Sequence, residues 1–157
     1  MSVNRSTRLM AIASFLLVAV AAAGCGSSSN STSSSTTSAT AISKADFVTQ
    51  ANAICSKGNK VTDAAGAKLG KSPTKAQVIS SVSNTFVPSI QGQIDGIKAL
   101  GAPSGDEAAV SNMLGLAQAD LDKLKADPTA LVTDNTLFAD FAKLAHPYGL
   151  TSCAAGS

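Results

Sequence analysis

From Phe47 onward, apolar side chains recur at every third or fourth position, and no segment shows sustained alternation of apolar and polar residues. At 100° per residue, this spacing places the side chains of the first stripe on one side of an α-helix. Ser43 and Asp46 resemble a helix cap before the stripe, and Gly70 follows it. A chain with this periodicity and no strand signal is predicted to be all-α. The first stripe consists of Phe47, Ala51, Ile54, Gly58, Val61, Ala65 and Leu69.

A second helix is predicted from Pro73, as its first helical residue, to Leu100. Its apolar stripe begins with Ile79 and Val82. Pro88 lies inside it and predicts a kink between Thr85 and Pro88, because proline removes a backbone donor and crowds the preceding turn. Two further glycines flank the stripe, where they indicate either close contact with a neighbouring backbone or loose local packing. These glycines are Gly92 and Gly96.

A third helix is predicted from a capping box formed by Ser104 and Glu107, and it ends at Asp127. A fourth, shorter helix is predicted from Asp134 to Ala145, ended by His146 and Pro147. Four helices with short connections predict an up-and-down antiparallel bundle over residues 42–157. The kinked second helix is part of this prediction.

Residues 1–24 have the three zones of a signal peptide: a basic start, an apolar run from Leu9 to about Ala21, and small residues before Cys25. The segment Ala22-Ala23-Gly24-Cys25 resembles the lipobox of bacterial lipoproteins, in which the cysteine thiol is lipidated and becomes the first residue. Lipidation of Cys25 would place the protein at the cell membrane, anchored on its extracytoplasmic side. The alternative is ordinary secretion with Cys25 left as an incidental thiol. The uncharged Ser/Thr-rich stretch that follows predicts a flexible tether, giving residues 25–41 as lipidated cysteine plus tether.

The chain has three cysteines, and three thiols in an oxidising exterior would leave one unpaired. If Cys25 carries lipid, Cys55 and Cys153 remain as a pair. A bond between them would strap the C-terminal tail across the first helix. We interpret this pair as structural, because no closely spaced Cys-x-x-Cys accompanies it.

The composition excludes several classes of function. From Cys25 onward ten lysines balance ten acidic residues, so the electrostatic footprint of a nucleic-acid-binding protein is absent. With one histidine, His146, in the chain and two thiols committed to each other, no His/Cys metal site or cofactor site is predicted. Asp120 and Asp122 are interpreted as part of a solvated helix face. No catalytic motif is found, so we expect the protein not to be an enzyme.

Two short segments, Gln50–Cys55 and Tyr148–Cys153, resemble those of a group of small helical lipoproteins and secreted proteins predicted in actinobacteria. The resemblance implies a disulfide-linked helical domain outside the cytoplasm and carries no established activity.

Two hypotheses for function follow. The first is a membrane-anchored binding or structural module of the cell envelope, with another envelope protein as a possible partner. The second is carriage of a small apolar ligand or lipid in the bundle interior, since small residues on the first stripe either leave space or let helices approach closely. The opposite net charges of residues 44–98 and 99–157 are attributed to packing within one molecule, so we expect a monomer. The alternative is self-association through these oppositely charged parts of the surface.

Overall fold

Residues 41–155 are described by a computed structural model, and every regular element among them is helical. Because this range contains no strand, the all-α prediction is confirmed. The predicted signal peptide, Cys25 and nearly all of the predicted tether lie outside the described residues. In chain order the elements are α1 (Lys44–Leu69), α2 (Lys75–Ser81), a π-helical segment (Val82–Phe86), α3 (Val87–Ala99), α4 (Glu107–Ala126), α5 (Ala130–Thr133), α6 (Ala139–Tyr148) and α7 (Thr151–Ala154).

Helix α1 begins and ends at the predicted residues. The Ser43 hydroxyl accepts a hydrogen bond from the backbone N–H of Asp46 at 3.1 Å, which satisfies a donor that the first turn leaves unpaired. Gly70 ends the helix with a φ of 69°, a conformation that suits glycine. The prediction that Val61 faces the core is wrong, since this residue is 47% exposed. The buried side of α1 consists of Phe47, Ala51, Cys55, Gly58 and Ala65.

The start of α2 differs from the prediction by two residues. Thr74 caps this helix in a capping box with Gln77, so Pro73 precedes the cap and is not the first helical residue. This arrangement suits the sequence, because the threonine hydroxyl and the glutamine side chain satisfy backbone donors that proline at the first position would have left to solvent.

A π-helical segment joins α2 to α3. The N–H of Val87 donates to the carbonyl oxygen of Val82, five residues earlier, so one extra residue enters the turn immediately before Pro88. On a uniform helix Val82 would lie about 120° from Ile94, yet both are buried. The extra residue rotates α2 relative to α3 about the helix axis. This rotation explains why Ile79 is exposed, although a stripe with a constant angle per residue places it inward. The kink itself stays a prediction.

The two glycines of α3 differ in their surroundings. A Cβ atom on Gly96 would lie 3.3 Å from Cγ2 of Ile54 on α1, so this glycine permits close packing of the two helices. No atom lies within 4 Å of the corresponding position on Gly92. Gly96 is therefore in close contact with the neighbouring helix, through a side chain and not through its backbone, whereas the alternative of loose local packing describes Gly92.

The cap predicted for the third helix is also wrong. Asp106 precedes the first residue of α4 and makes no side-chain cap, while the Glu107 carboxylate accepts a hydrogen bond from the N–H of Gly105 at 2.8 Å. Ser104 is exposed and makes no such bond in the part of the chain that the structure describes. The end of α4 before Asp127 agrees with the prediction.

The fourth predicted helix is shifted toward the C-terminus. Residues 135–138 form a turn, and α6 continues through His146 and Pro147 to Tyr148. It ends because Gly149 adopts a φ of 105° and its N–H donates to His146, while the N–H of Leu150 donates to the carbonyl of Ala145. Pro147 is tolerated near the helix end, where its fixed φ fits and only one intrahelical bond is lost.

The core has two clusters. The larger joins α1, α3, α4 and α6 and includes Phe47, Ile94 and Leu121, all buried. The smaller lies where α2 and the π-helical segment meet the end of α4, around Val82 and Leu124. The two clusters share partly buried neighbours, among them Ile90 and Phe138.

The C-terminal tail is fastened along α1 by three residues at helical spacing. A disulfide bond joins Cys55 to Cys153, as predicted, with their Cα atoms 5.0 Å apart. The Asn52 amide donates to the Gly149 carbonyl oxygen and accepts from the N–H of Ser152, both at 2.8 Å. Asn59 donates to the Ser152 carbonyl oxygen at 2.7 Å. The tail therefore completes the helical domain by covalent and polar contacts.

Candidate ligand cavity

A cavity of about 280 Å³ lies among α1, α3, α4, α6 and the connection between α4 and α6. This volume is roughly twice that of the apolar cavity of about 150 Å³ that takes up one benzene molecule. It lies near the lower end of the range of small-molecule sites. The apolar part of its wall is formed by Phe86, Ile90, Ile94, Ile97, Leu114, Ala117, Leu131, Leu137, Phe138 and Phe141.

The space arises beside a small residue of α4 and not beside the small residues of α1. Ala117 contributes to the wall, and its methyl group leaves room that a larger core side chain would fill. Ala51, Gly58 and Ala65 do not line the cavity. Any side chain on Gly58 would collide with the side chain of Gln93, so this glycine allows close packing and leaves no free volume.

A buried carboxylate fixes the wall contributed by Phe138. This residue has a φ of 61°, which is unfavourable for a side chain of its size. Its N–H donates to Asp120 Oδ2 at 2.9 Å, and the Lys123 ammonium donates to Asp120 Oδ1 at 2.7 Å. Asp120 is only 8% exposed, so its assignment to a solvated face was wrong. We infer that this carboxylate holds the turn, and with it the aromatic ring, against the cavity.

The same turn contributes the acid at the rim. Asp134 Oδ1 accepts hydrogen bonds from the N–H of Thr136 at 2.9 Å and from its hydroxyl at 2.6 Å. Bonds from the side chain and the backbone of Thr136 lower the pKa of Asp134 below its ordinary value of 3.8. Asp134 is therefore a fixed, ionised group at neutral pH.

Four uncharged polar residues complete the lining. The side-chain amide of Asn59 has its nitrogen engaged with the tail, which leaves its oxygen as an acceptor. The Thr62 hydroxyl donates to the carbonyl oxygen of Asn59 at 3.0 Å. Gln93 and Asn135 also line the cavity. An apolar wall with a few polar groups at one side is the usual composition of a small-molecule site.

The disulfide forms part of the same wall. Both Cys55 and Cys153 line the cavity, and Asn59 lies one helical turn beyond Cys55 on α1. The residues that fasten the tail therefore overlap with the residues that border the space. Asn52 and Asn59 were missed as tail contacts at the sequence level, although their spacing of three and four residues around Cys55 places all three on one helix face.

The remaining predicted residues are not gathered at this cavity. Cys25 lies outside the described residues. His146 is exposed in the last turn of α6. Asp122 is bonded to Lys125 at 3.0 Å on the surface of α4, away from Asp120 in direction and environment. Within residues 41–155, no group of three or more His, Cys, Asp or Glu side chains could hold a metal ion.

A polar cluster ties the start of α1 to the end of α6. The Tyr148 hydroxyl donates to Asp106 at 2.7 Å, and the Lys44 ammonium lies 3.2 Å from the same carboxylate and over the tyrosine ring. Hydrogen bonds from Tyr148 and Lys44 lower the pKa of Asp106. Burial, together with the bond to Asp106, raises the pKa of Tyr148. Every charge here has a partner, so we assign this cluster a structural role.

Comparison with known proteins identifies no relative: no family model, curated protein or solved structure matches the chain. Among residues 41–155, none of the helices combines the length and apolarity needed to cross a membrane.

Proposed function

We propose that this protein is a lipid-anchored, extracytoplasmic protein of the cell envelope that binds a small apolar ligand within its helical domain. Binding in the cavity, without catalysis, is the function that the described residues support best. A member of the actinobacterial lipoprotein group that the sequence resembles would have this location.

The proposed anchor is supported by the pairing of the other two cysteines. The Cys55–Cys153 bond accounts for two of the three cysteines in the sequence. The third, Cys25, follows the signal-like segment directly. Lipidation would use this thiol and retain the domain at the membrane surface through a tether of uncharged residues.

The proposed binding function depends on one observation, the cavity of about 280 Å³ with its apolar wall. Protein interiors are densely packed and hold few voids larger than a water molecule, so a space of this volume bordered by apolar side chains supports a binding role. The ligand would gain free energy by transferring its apolar surface from water to this wall.

We further propose that α1, the α2–α3 unit, α4 and α6 run alternately up and down, with a kink before Pro88. Contacts between α1 and α3, between α3 and α4, and between α4 and α6 support this order. The proposed protein is monomeric, and sedimentation that depends on protein concentration would contradict this.

Ligand binding can be tested with octan-1-ol, a neutral probe small enough for the cavity. We would titrate the mature chain, residues 25–157 carrying Cys25→Ser and exported behind a signal peptide that is cleaved without lipidation, and follow backbone amide NMR signals. We expect shifts for wall residues such as Ile94 and Phe141. Ala117→Leu should weaken them by taking up part of the cavity, whereas Ala119→Leu, on the exposed side of α4, should not. Absence of saturable shifts in the parent chain would refute the binding function.

The anchor has its own test in the cell of origin. The wild-type protein should begin at Cys25, carry acyl chains by mass spectrometry and partition into the detergent phase. Cys25→Ser should remove the acyl mass and prevent the cleavage before residue 25, so this variant should keep its signal peptide. A wild-type protein that begins at another residue or stays wholly aqueous would overturn the proposed anchor.

A further inference from the structure

We propose that the cavity selects an amphiphile with a short alkyl body and a cationic amine head, and that Asp134 is the residue that recognises the head. This inference rests on the proposed binding function and names the chemical class of its ligand. Its basis is the charge of the lining and the hydrogen-bonding state of the groups at the rim.

Asp134 is the single charged residue among those that line the cavity, since no lysine, arginine or histidine contributes to the lining. Lys123, whose positive charge also lowers the pKa of Asp134, does not line the cavity, and its ammonium is bonded to Asp120 at 2.7 Å. The lining therefore carries a net negative charge. An anionic head group placed there would meet a like charge, whereas a cationic head would be attracted.

The carboxylate of Asp134 is held in place through one of its two oxygens. Its Oδ1 accepts two hydrogen bonds from Thr136, which fixes the plane of the group. Within the described residues, Oδ2 accepts none, so one carboxylate oxygen remains for a ligand donor. A hydrogen bond between an ammonium and a carboxylate is among the stronger polar contacts in proteins.

A second acceptor lies in the same lining. The amide nitrogen of Asn59 is committed to the Ser152 carbonyl oxygen, so its Oδ1 can only accept. An ammonium has three donors and no acceptor. A cavity that offers a carboxylate oxygen and an amide oxygen therefore matches an amine better than it matches a carboxylic acid.

The size of the space limits the alkyl body. If about 150 Å³ accommodates the six carbons of benzene, then about 280 Å³ accommodates roughly ten to twelve non-hydrogen atoms. Octylamine has nine and fits this limit. Long membrane lipids exceed it, so the inference concerns a small amine and not an intact phospholipid.

The test compares three probes that share one alkyl chain: octylamine, octan-1-ol and octanoate. Affinities would be measured by calorimetry at one ionic strength and neutral pH, with the same mature chain, residues 25–157 carrying Cys25→Ser. We expect octylamine to bind up to about fivefold more tightly than octan-1-ol, because Asp134 is partly exposed and solvent weakens its attraction for an ammonium group. Octanoate should bind most weakly.

Asp134→Asn should bring the affinity for octylamine close to the affinity for octan-1-ol, with both probes measured on that same variant. Asp127→Asn provides a matched control. Asp127 accepts bonds from the N–H and the hydroxyl of Thr129 at 2.9 and 2.6 Å, the same arrangement as at Asp134, but it does not line the cavity. This variant should keep the preference for the amine.

The possible outcomes separate the two proposals. Binding of octan-1-ol without a preference for octylamine, or a preference that survives Asp134→Asn, would overturn the amine assignment and leave the binding function standing. Failure of all three probes to bind would overturn the binding function and the amine assignment with it.

Discussion

Removal of the disulfide should cost this domain a large part of its stability. The bond connects residues separated by 98 positions, so it restrains most of the domain in the unfolded state. The chain-entropy relation gives about 4.7 kcal/mol for a loop of this length. In Cys55→Ala/Cys153→Ala, loss of a buried sulfur from α1 adds roughly 1 kcal/mol, by analogy with one buried methylene. The expected loss in the free energy of unfolding is therefore about 5 to 6 kcal/mol.

This loss is comparable to the entire stability of many domains, which is about 5–15 kcal/mol. We would measure urea unfolding of the oxidised parent and the double alanine variant by circular dichroism at 25 °C. The variant should have a lower midpoint and a steeper denaturant dependence, because an unfolded chain without the cross-link exposes more surface. The parent treated with reductant provides the control, since it loses the bond and keeps both sulfur atoms.

Two results would contradict the reasoning. A loss below about 2 kcal/mol with an unchanged denaturant dependence would mean that the bond does not restrain the unfolded chain as the loop length implies. Alkylation of two free thiols in protein exported to an oxidising compartment would mean that Cys55 and Cys153 are not joined in the protein as it is made.

Three further predictions concern the tail and its surroundings. Asn52→Ala should lower the free energy of unfolding by about 2–4 kcal/mol because it leaves two backbone groups unpaired. Asn59→Ala leaves one such group unpaired and should lower it by about half as much. Equal losses in urea unfolding would contradict this. Gly149→Ala should cost roughly 1–2 kcal/mol at its φ of 105°, and Gly149→Asn less; equal thermal midpoints for all three proteins would argue against strain there. Because Asp106 has a lowered pKa, its contribution to the free energy of unfolding is present above the ordinary pKa of 3.8 and is lost as pH falls through the pKa of the folded state. Because Tyr148 has a raised pKa, its contribution is lost as pH rises above about 10, and Tyr148→Phe should flatten that alkaline decline in a pH series of unfolding midpoints.

The elements that could be predicted are those whose signals are local. Helix α1 follows from Ser43, a regular stripe and Gly70, because a cap and a helix end depend on residues within one turn. The second helix was harder to place. Its stripe assumes a constant angle per residue, and the extra residue of the π-helical segment breaks that assumption between Val82 and Val87.

The cavity wall depends on contacts that spacing does not reveal. Asp120 is two residues from Asp122, which suggested two unrelated surface acids, yet its carboxylate binds the N–H of a residue 18 positions later. That residue, Phe138, has a left-handed backbone conformation that no local signal predicts for an aromatic side chain. The volume beside Ala117 depends on how four helices pack, so it also follows from the structure alone.

The placement of Cys55 and Asn59 connects stability to the site. Both residues hold the tail, through the disulfide and the bond to Ser152, and both line the cavity. On one helix, side chains three or four positions apart lie side by side. The contacts that hold the tail against α1 therefore also fix the α1 side chains that line the cavity. Fastening the tail therefore positions an acceptor oxygen and a sulfur atom at the edge of the space. A domain with few aromatic residues can in this way keep an open interior volume, because covalent and polar contacts supply stability that a filled core would otherwise have to provide.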